Sequence, residues 1–212
     1  MRLRDNVALV TGGGRGIGRA VALRFAQEGA QLVLAGRNST SLAAVEQEIR
    51  AHGRDVLAVP CDATNDPAVR EMVRQAEARF GRIDILVNNA GRFGTMYRLH
   101  EMPDAEWDRT LRANLTSAFY VCRAVLPGMM ARERGSIVMM SSISAKQAYA
   151  FAAAYSATKA GLLGLTRALA MEYAASGITV NSVPPGYVET PTMRRLQASH
   201  PGAQRSFEET TA

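Results

Sequence analysis

The chain has 212 residues, 47% of them hydrophobic and 21% charged, a composition typical of a globular protein with one ample core. Its net charge of +6 comes from arginines spread along the chain, so we interpret it as a solvated surface rather than a nucleic-acid footprint. Two cysteines and three scattered histidines give no disulfide framework, metal centre or Ser-His-Asp triad. The apolar runs are too short for a signal peptide or a membrane span, which predicts a cytoplasmic protein that binds neither membrane nor metal.

Short apolar runs alternate along the chain with longer stretches of helical periodicity. Such alternation requires right-handed crossovers, and these produce a parallel sheet with helices on both faces. We therefore predict a doubly wound α/β domain over residues 1–192, followed by a polar tail or partial lid over 193–212. The predicted strands are Val7 to Val10, Gln31 to Ala35, Val56 to Val59, Ile85 to Val87, Ile137 to Met140 and Ile178 to Val183, and the predicted helices are 16–29, 39–52, 66–80, 104–131 and 153–176.

A glycine-rich turn follows the first predicted strand and opens the first predicted helix. It runs from Thr11 to Gly18 and reads TGGGRGIG. Glycines let a backbone turn tightly and approach a pyrophosphate, which then lies at the helix N-terminus. The spacing differs from the commoner Gly-x-Gly-x-x-Gly, and an ordinary tight turn is the alternative interpretation. In its strand–turn–helix context the segment predicts a dinucleotide site that includes Gly12, Arg15, Gly16, Ile17 and Gly18.

The end of the second predicted strand bears on the choice of dinucleotide. NAD-preferring sites usually place a carboxylate here, whereas this chain has Gly36 and then Arg37. Arg15 in the glycine turn can reach the same region. Two guanidiniums without a carboxylate suit a 2′-phosphate, so we predict NADP(H) in preference to NAD(H). The alternative is that both arginines are surface residues.

A tyrosine and a lysine four residues apart carry the chemistry. On a helix this spacing places Tyr155 and Lys159 on one face, and Ser142 lies thirteen residues before the tyrosine. A phenol titrates near pH ~10, and a neighbouring cation lowers its pKa. A serine hydroxyl can bind the same substrate oxygen, so the set predicts interconversion of a carbonyl and an alcohol. Lys146 is the only other lysine, whereas arginine is used freely in this chain. Because arginine cannot replace a compact ammonium that must reach two acceptors, this weakens, without removing, the alternative of a solvated helix lysine.

With both motifs on one chain, the sequence resembles the short-chain dehydrogenase/reductase family from Val7 to about Thr192. The run from Asn88 to Gly91 matches the family's Asn-Asn-Ala-Gly, and Asn114 takes the place of the asparagine in the family's catalytic tetrad. The resemblance implies a Rossmann-type fold and a tetrad of Asn114, Ser142, Tyr155 and Lys159. It also implies cofactor contacts from Asp62, Ala63, Asn89, Ala90, Gly91, Tyr155, Lys159, Pro185, Gly186, Val188 and Thr190.

The same resemblance implies a role for each member of the tetrad. Tyr155 donates a proton to the developing alkoxide and Ser142 hydrogen-bonds that oxygen. Lys159 lowers the phenol pKa and holds the nicotinamide ribose, while Asn114 positions a water that links Lys159 to solvent. Residue by residue, other interpretations stay open: Asn88 and Asn89 as turn formers or sheet stabilisers, Asp62 as a turn cap, and Asn114 as a satisfied core asparagine.

The implied activity is NADP(H)-dependent interconversion of a ketone and a secondary alcohol. The sequence is most similar to the 3-oxoacyl carrier-protein reductase branch and to the sugar or alcohol dehydrogenase branch. Family members usually continue through another helix and a seventh strand, whereas residues 193–212 of this sequence are polar and show no strand pattern. We therefore expect six strands. The alternative class of function is a cofactor-binding scaffold with little turnover. The resemblance also implies a homodimer through helices 104–131 and 153–176. The pocket is expected between Arg92–Met102, Ser144–Phe151 and the segment from Tyr187 onward.

Overall fold

The computed structural model describes residues 1–191, 193 and 194. Its centre is a six-stranded sheet in the order β3-β2-β1-β4-β5-β6, and every neighbouring pair is parallel. All six predicted strands are confirmed, with ends that shift by up to two residues. The strands are β1 (Val7–Thr11), β2 (Gln31–Gly36), β3 (Val56–Pro60), β4 (Ile85–Asn88), β5 (Gly135–Met140) and β6 (Ile178–Val183).

Helices connect the strands, and two of them begin with a capping asparagine. The Asn38 side chain accepts a hydrogen bond from the Ser41 N–H at 2.8 Å, and Asn65 accepts one from the Ala68 N–H at 3.1 Å. Each cap satisfies one of the N–H groups that a helix start leaves unpaired. The helices are α1 (Gly16–Gln27), α2 (Ser39–Ala51), α3 (Asp66–Phe80), α4 (Asp104–Leu111), α5 (Ser117–Ala131) and α6 (Ala153–Tyr173).

The helix predicted over 104–131 differs in one respect. A π-helical turn over Arg112–Thr116 separates α4 from α5, so the element is helical throughout but not α-helical throughout. A π turn adds a residue to one turn and shifts the faces that follow it. Asn114 lies inside this turn and is buried.

The sheet is covered on both faces, as predicted. Leu9 belongs to a cluster formed with α3, α5 and α6, whereas its neighbour Val10 belongs to a second cluster formed with α1 and α2. Because strand side chains alternate between faces, β1 is buried completely. Full burial of one Leu or Val side chain contributes about 1.5–3 kcal/mol, so these two clusters hold the layers together.

The strand order places a crevice at one end of the sheet. From β1 the chain proceeds outward to β2 and β3, and it then returns to β4 on the other side of β1. In doubly wound sheets ligands bind at this switch point, outside the carboxyl ends of the strands. β6 forms one edge of the described sheet. The predicted polar tail, residues 193–212, lies outside the described residues apart from Met193 and Arg194.

Candidate active site

The glycine turn is shaped for close approach of a ligand to the backbone. Gly12 and Gly16 have φ angles of +66° and +54°, which favour glycine. A Cβ at Gly18 would lie 2.2 Å from the Gly12 carbonyl oxygen, so only glycine fits there. Arg15 precedes α1 without a side-chain cap. The first N–H groups of α1 therefore remain available to an anion.

Thr11 and Asn89 join the turn to β4 across the switch point. The Thr11 hydroxyl accepts hydrogen bonds from the N–H groups of Asn89 and Ala90, both at 2.9 Å. The Asn89 amide donates to the Thr11 carbonyl at 2.9 Å, and the Asn88 amide donates to the Ala118 carbonyl at 3.0 Å. Both asparagine side chains thus stabilise the sheet end, which was one of the interpretations left open. Thr11 was not among the predicted site residues, although its position directly before the glycines was a signal.

Ser142 and Tyr155 meet beyond the carboxyl end of β5. Ser142 is separated from that strand by Ser141, and its hydroxyl accepts the Ser144 N–H at 3.1 Å. Tyr155 lies in the first turn of α6, and a hydrogen bond with Ser142 lowers its pKa. Burial has the larger effect, and together with Tyr149 it raises the pKa of the phenol above its usual value of 10.0. The phenol is therefore protonated at neutral pH.

Lys159 is buried one helical turn beyond Tyr155, with 5% of its surface exposed. Its ammonium donates to the Met140 carbonyl at 2.7 Å and lies 5.6 Å from the centroid of the Tyr155 ring. Burial lowers the pKa of Lys159 to about 8. The pKa of the Tyr155 phenol is raised overall, because burial outweighs the hydrogen bond with Ser142. A lowering contribution from Lys159 stays a prediction. The predicted proximity of the two side chains is confirmed.

The Asn114 side chain is engaged on both sides. Its oxygen accepts the Arg92 N–H at 2.7 Å, and its amide donates to the Arg92 carbonyl at 2.9 Å and to the Thr158 hydroxyl at 3.1 Å. Asn114 is therefore a satisfied core asparagine that ties the segment after β4 to α6. The water-positioning role stays a prediction. Gly91 lies beside this group, since a Cβ there would be 2.8 Å from the Asn114 oxygen and 3.8 Å from the Lys159 nitrogen.

Other predicted cofactor residues lie in the glycine turn or just beyond the carboxyl ends of β2 and β3. Asp62 accepts hydrogen bonds from the N–H and hydroxyl of Thr64, both at 2.9 Å, so it caps a turn as one interpretation had it. Asp62 also lines an open cleft of about 510 Å³. Arg15 and Arg37 are exposed and form no ion pair with any residue of the described chain. Their guanidiniums are available to an anionic ligand. Ile17 and Ala63 pack against the two core clusters.

The loop after β6 extends from the segment that follows β5 to the glycine turn. The Pro185 carbonyl accepts the Ile143 N–H at 2.9 Å, which fixes one end of the loop. At the other end Thr190 lies beside Gly16, where a Cβ would be 3.4 Å from the Thr190 methyl group. Gly186 and Val188 are exposed between these ends. The loop thus connects the predicted catalytic group with the predicted phosphate site.

A second open cleft, of about 540 Å³, lies between the segment that follows β4 and the segment that follows β5. It is lined by Tyr97 and Leu99 on one side and by Tyr149 and Phe151 on the other. Tyr149 also influences the pKa of Tyr155, so the cleft and the phenol are neighbours. Two of the three segments predicted to line the substrate pocket therefore meet here.

Comparison with known proteins identifies the family. The family model described as short chain dehydrogenase matches residues 6–201. The chain belongs to this family. The 3-oxoacyl-acyl-carrier-protein reductase FabG of Escherichia coli strain K12 is 38% identical over 196 residues, which cover 92% of this chain and 79% of the relative. This short-chain dehydrogenase is therefore an oxidoreductase of the family that acts on alcohol and keto groups.

Two solved structures illustrate the range of similar proteins. A variant of actinorhodin polyketide ketoreductase with NADPH has a TM-score of 0.90 and 38% identity, covering 93% of this chain and 76% of its own. NAD+-bound xylitol dehydrogenase has a TM-score of 0.90 and 34% identity, with the same coverage of both chains. Within the described residues no helix is long and apolar enough to cross a bilayer, and no cluster of metal-ligating side chains forms.

Proposed function

We propose that this short-chain dehydrogenase interconverts a ketone and a secondary alcohol with NADP(H), using Tyr155 as the acid and base. The observation that carries the proposal is the convergence of Ser142, from the segment after β5, with Tyr155 and Lys159, from α6, at the carboxyl end of the sheet. The Lys159 ammonium is buried beside a phenol that is partly buried. Buried titratable groups next to a cleft are characteristic of catalytic sites.

The residues at the switch point fit a nicotinamide dinucleotide. The left-handed glycines and the uncapped start of α1 provide a cradle for a pyrophosphate. Among the described residues the Lys159 ammonium has one hydrogen-bond acceptor, the Met140 carbonyl, although it carries three protons. Ribose hydroxyls are suitable acceptors for the others. When bound, the nicotinamide supplies or removes the hydride.

The chain's own groups manage the proton on the substrate oxygen. In reduction Ser142 donates a hydrogen bond to that oxygen, and Tyr155 transfers its phenolic proton to it. Because burial raises its pKa, Tyr155 holds the proton until the oxygen becomes basic. Lys159, with a pKa of about 8, is charged at neutral pH and stabilises the phenolate that remains. In oxidation the same groups act in reverse.

The cofactor choice rests on Arg15 and Arg37. Both guanidiniums are exposed, and neither is neutralised by a carboxylate of the described chain, which supports binding of a 2′-phosphate. The NADPH-bound ketoreductase supports this choice, whereas the NAD+-bound xylitol dehydrogenase supports NAD(H) as the alternative. The ratio of kcat/KM for NADPH to that for NADH tests the proposal, and a clear preference for NADH refutes it.

For the substrate we propose a 3-oxoacyl thioester. The similarity to the E. coli reductase supports it, and the cleft beside Tyr149 has the apolar wall that an acyl chain requires. A sugar or alcohol dehydrogenase is the second candidate, supported by the similarity to xylitol dehydrogenase. A panel of 3-oxoacyl thioesters, sugars and simple ketones, followed by NADPH absorbance, distinguishes the two.

The decisive experiment on the mechanism is Tyr155→Phe. Loss of the proton donor should lower kcat about 10²- to 10⁴-fold while NADPH still binds. Tyr173→Phe, at the far end of α6, is the matched control and should leave kcat unchanged. Near-normal turnover of Tyr155→Phe removes that residue from the acid role. Wild-type protein that binds NADPH but consumes it with none of the substrates is instead the low-turnover scaffold.

We also propose a cytoplasmic homodimer that binds no nucleic acid. Phe119 and Met130 on α5 and Met171 on α6 are large apolar side chains that are exposed in the single chain. Contact across the two helices would cover them. Light scattering tests the assembly, since a stable tetramer or a monomer contradicts it, and a labelled duplex at moderate salt tests the absence of nucleic-acid binding.

A further inference from the structure

Glu106 is a buried carboxylate for which the proposed reaction has no use. It lies in the first turn of α4, with 6% of its surface exposed. Burial acts to raise its pKa, but hydrogen bonds from the Thr95 N–H and from Arg92, with the charges of Arg92 and Arg109, lower the net pKa below its usual value. Glu106 is therefore an ionised group inside the protein at neutral pH.

The carboxylate is wrapped by the segment that follows the Asn-Asn-Ala-Gly run. One oxygen of Glu106 accepts the Arg92 guanidinium at 2.8 Å and the Thr95 N–H at 2.9 Å. Between these donors, Gly94 has a φ of +89°, and a Cβ there would lie 2.9 Å from the same oxygen. The chain can close around the carboxylate only because residue 94 is glycine. The contacts fix both ends of the segment Arg92–Thr95, which we call the 92–95 turn.

The 92–95 turn reaches the phenol. Phe93 lies between the two donors, and its ring packs against Tyr155 with centroids 4.7 Å apart and planes inclined by 41°. On the other side Asn114 binds the main chain of Arg92 through both its oxygen and its amide. The Phe93 ring is thereby held by two independent anchors, one ionic and one neutral.

The burial of Glu106 has no clear explanation in stability alone. A buried ion pair rarely stabilises a fold more than apolar side chains of the same size would, because both charges lose water. It does fix a conformation, since moving the turn would leave a buried charge without a partner. The ionic anchor therefore provides geometry at the site where Phe93 meets Tyr155.

We infer that Glu106 is a positioning residue that orients Tyr155 through the 92–95 turn and Phe93. The inference rests on the proposed function, because it concerns the orientation of the proposed proton donor. Glu106 touches neither the phenol nor the cleft, so its effect is transmitted by the turn. Turnover should depend on Glu106, whereas the affinity for NADPH should not.

The test uses full-length protein, NADPH and acetoacetyl-coenzyme A as the probe ketone. Glu106→Ala should lower kcat about tenfold, the upper value of an aromatic contact, with the Kd for NADPH within about twofold of wild type. The kcat of Glu106→Gln should lie between those of wild type and Glu106→Ala. Its amide oxygen still accepts the Thr95 N–H, but the neutral amide no longer forms an ion pair with Arg92. Asp108→Asn, an exposed change on the same helix, is the matched control.

A double-mutant cycle shows whether the effect passes through Phe93. In a Phe93→Ala background, Glu106→Ala should lower kcat less than about twofold further. The inference is overturned if the fold-losses in kcat of the two single variants multiply fully in the double variant. It is also overturned if Glu106→Ala or Glu106→Gln leaves kcat unchanged, or if either variant loses NADPH affinity in parallel with kcat. If Glu106→Ala does not fold, Glu106→Gln carries the same cycle.

Hydrogen exchange separates this inference from the proposed function. In Glu106→Ala the amide of Thr95 should exchange faster, whereas amides in β1 should not change. Unchanged exchange at Thr95 overturns the inference even in an active enzyme. A wild-type protein that reduces none of the ketones overturns the proposed function, and the catalytic part of this inference with it, while exchange still shows whether Glu106 holds the turn.

Discussion

Lys159→Met should make the protein more stable at neutral pH while abolishing its turnover. The lysine is buried, and among the described residues its ammonium has a single acceptor, the Met140 carbonyl at 2.7 Å. Burial of a charge with so few partners costs free energy. Met has a similar length and no charge, so the substitution removes that cost and keeps the packing.

The magnitude follows from the lysine pKa. A fall from the usual 10.5 to about 8 corresponds to about 3 kcal/mol at 1.36 kcal/mol per pH unit. Removing the ammonium also leaves the Met140 carbonyl without its donor, which costs about 1 kcal/mol. The expected net gain in unfolding free energy is about 2 kcal/mol, or about 1 M in the urea midpoint.

The stability difference between Lys159→Met and wild type should depend on pH. Below pH 8 the lysine is charged in both the folded and the unfolded chain, so the cost is fully present. Between about 8 and 10.5 the unfolded chain binds more protons, and wild-type stability rises with pH relative to Lys159→Met. The buried thiols of Cys61 and Cys122, whose pKa values are raised to about 11 and about 12, lower stability above pH 9 in both proteins. The comparison between variant and wild type cancels them.

Urea unfolding at pH 7 and pH 9.5, at one protein concentration, measures the effect. The advantage of Lys159→Met should shrink by about 2 kcal/mol between the two pH values. Lys146→Met, at the exposed second lysine, is the control and should change stability by less than about 0.5 kcal/mol. A Lys159→Met protein less stable than wild type at pH 7, or one whose advantage does not depend on pH, refutes the reasoning.

Three further changes have expected outcomes. Gly18→Ala places a Cβ 2.2 Å from the Gly12 carbonyl oxygen, so calorimetry should show a loss of about 1–3 kcal/mol and titration a weakened affinity for NADPH. Replacement of Arg15 and Arg37 by glutamine should raise KM for NADPH about tenfold and leave KM for NADH nearly unchanged, as steady-state kinetics would show. Glu133→Gly relieves an exposed residue with φ of +52° and should add roughly 0.5–1 kcal/mol in urea unfolding.

The fold was predictable because its signals are local. Each strand is a short apolar run, as is typical of a parallel sheet that is covered on both faces. The glycine turn was equally readable, since the need for left-handed backbone at Gly12 and Gly16 restricts those positions to glycine. The spacing of Tyr155 and Lys159 gave their proximity, because one helix carries both.

What the sequence left undetermined depends on contacts between distant segments. The π turn at Asn114 adds one residue to a helical turn, and a 3.6-residue periodicity does not register it. Spacing gave the neighbours of the phenol, but the direction of its pKa depends on burial by surrounding elements. Glu106 reads as an ordinary first-turn acid in the sequence, because its partners are eleven and fourteen residues away.

The two anchors of the 92–95 turn differ in what they require of the protein. Asn114 holds the Arg92 main chain with neutral hydrogen bonds, which work for any side chain at position 92. Glu106 instead requires a cation at 92 and a glycine at 94, so it couples three positions. A substitution at any of them should disturb Phe93 and, through it, Tyr155. The orientation of the proposed proton donor is therefore a property of this turn as much as of the tetrad itself.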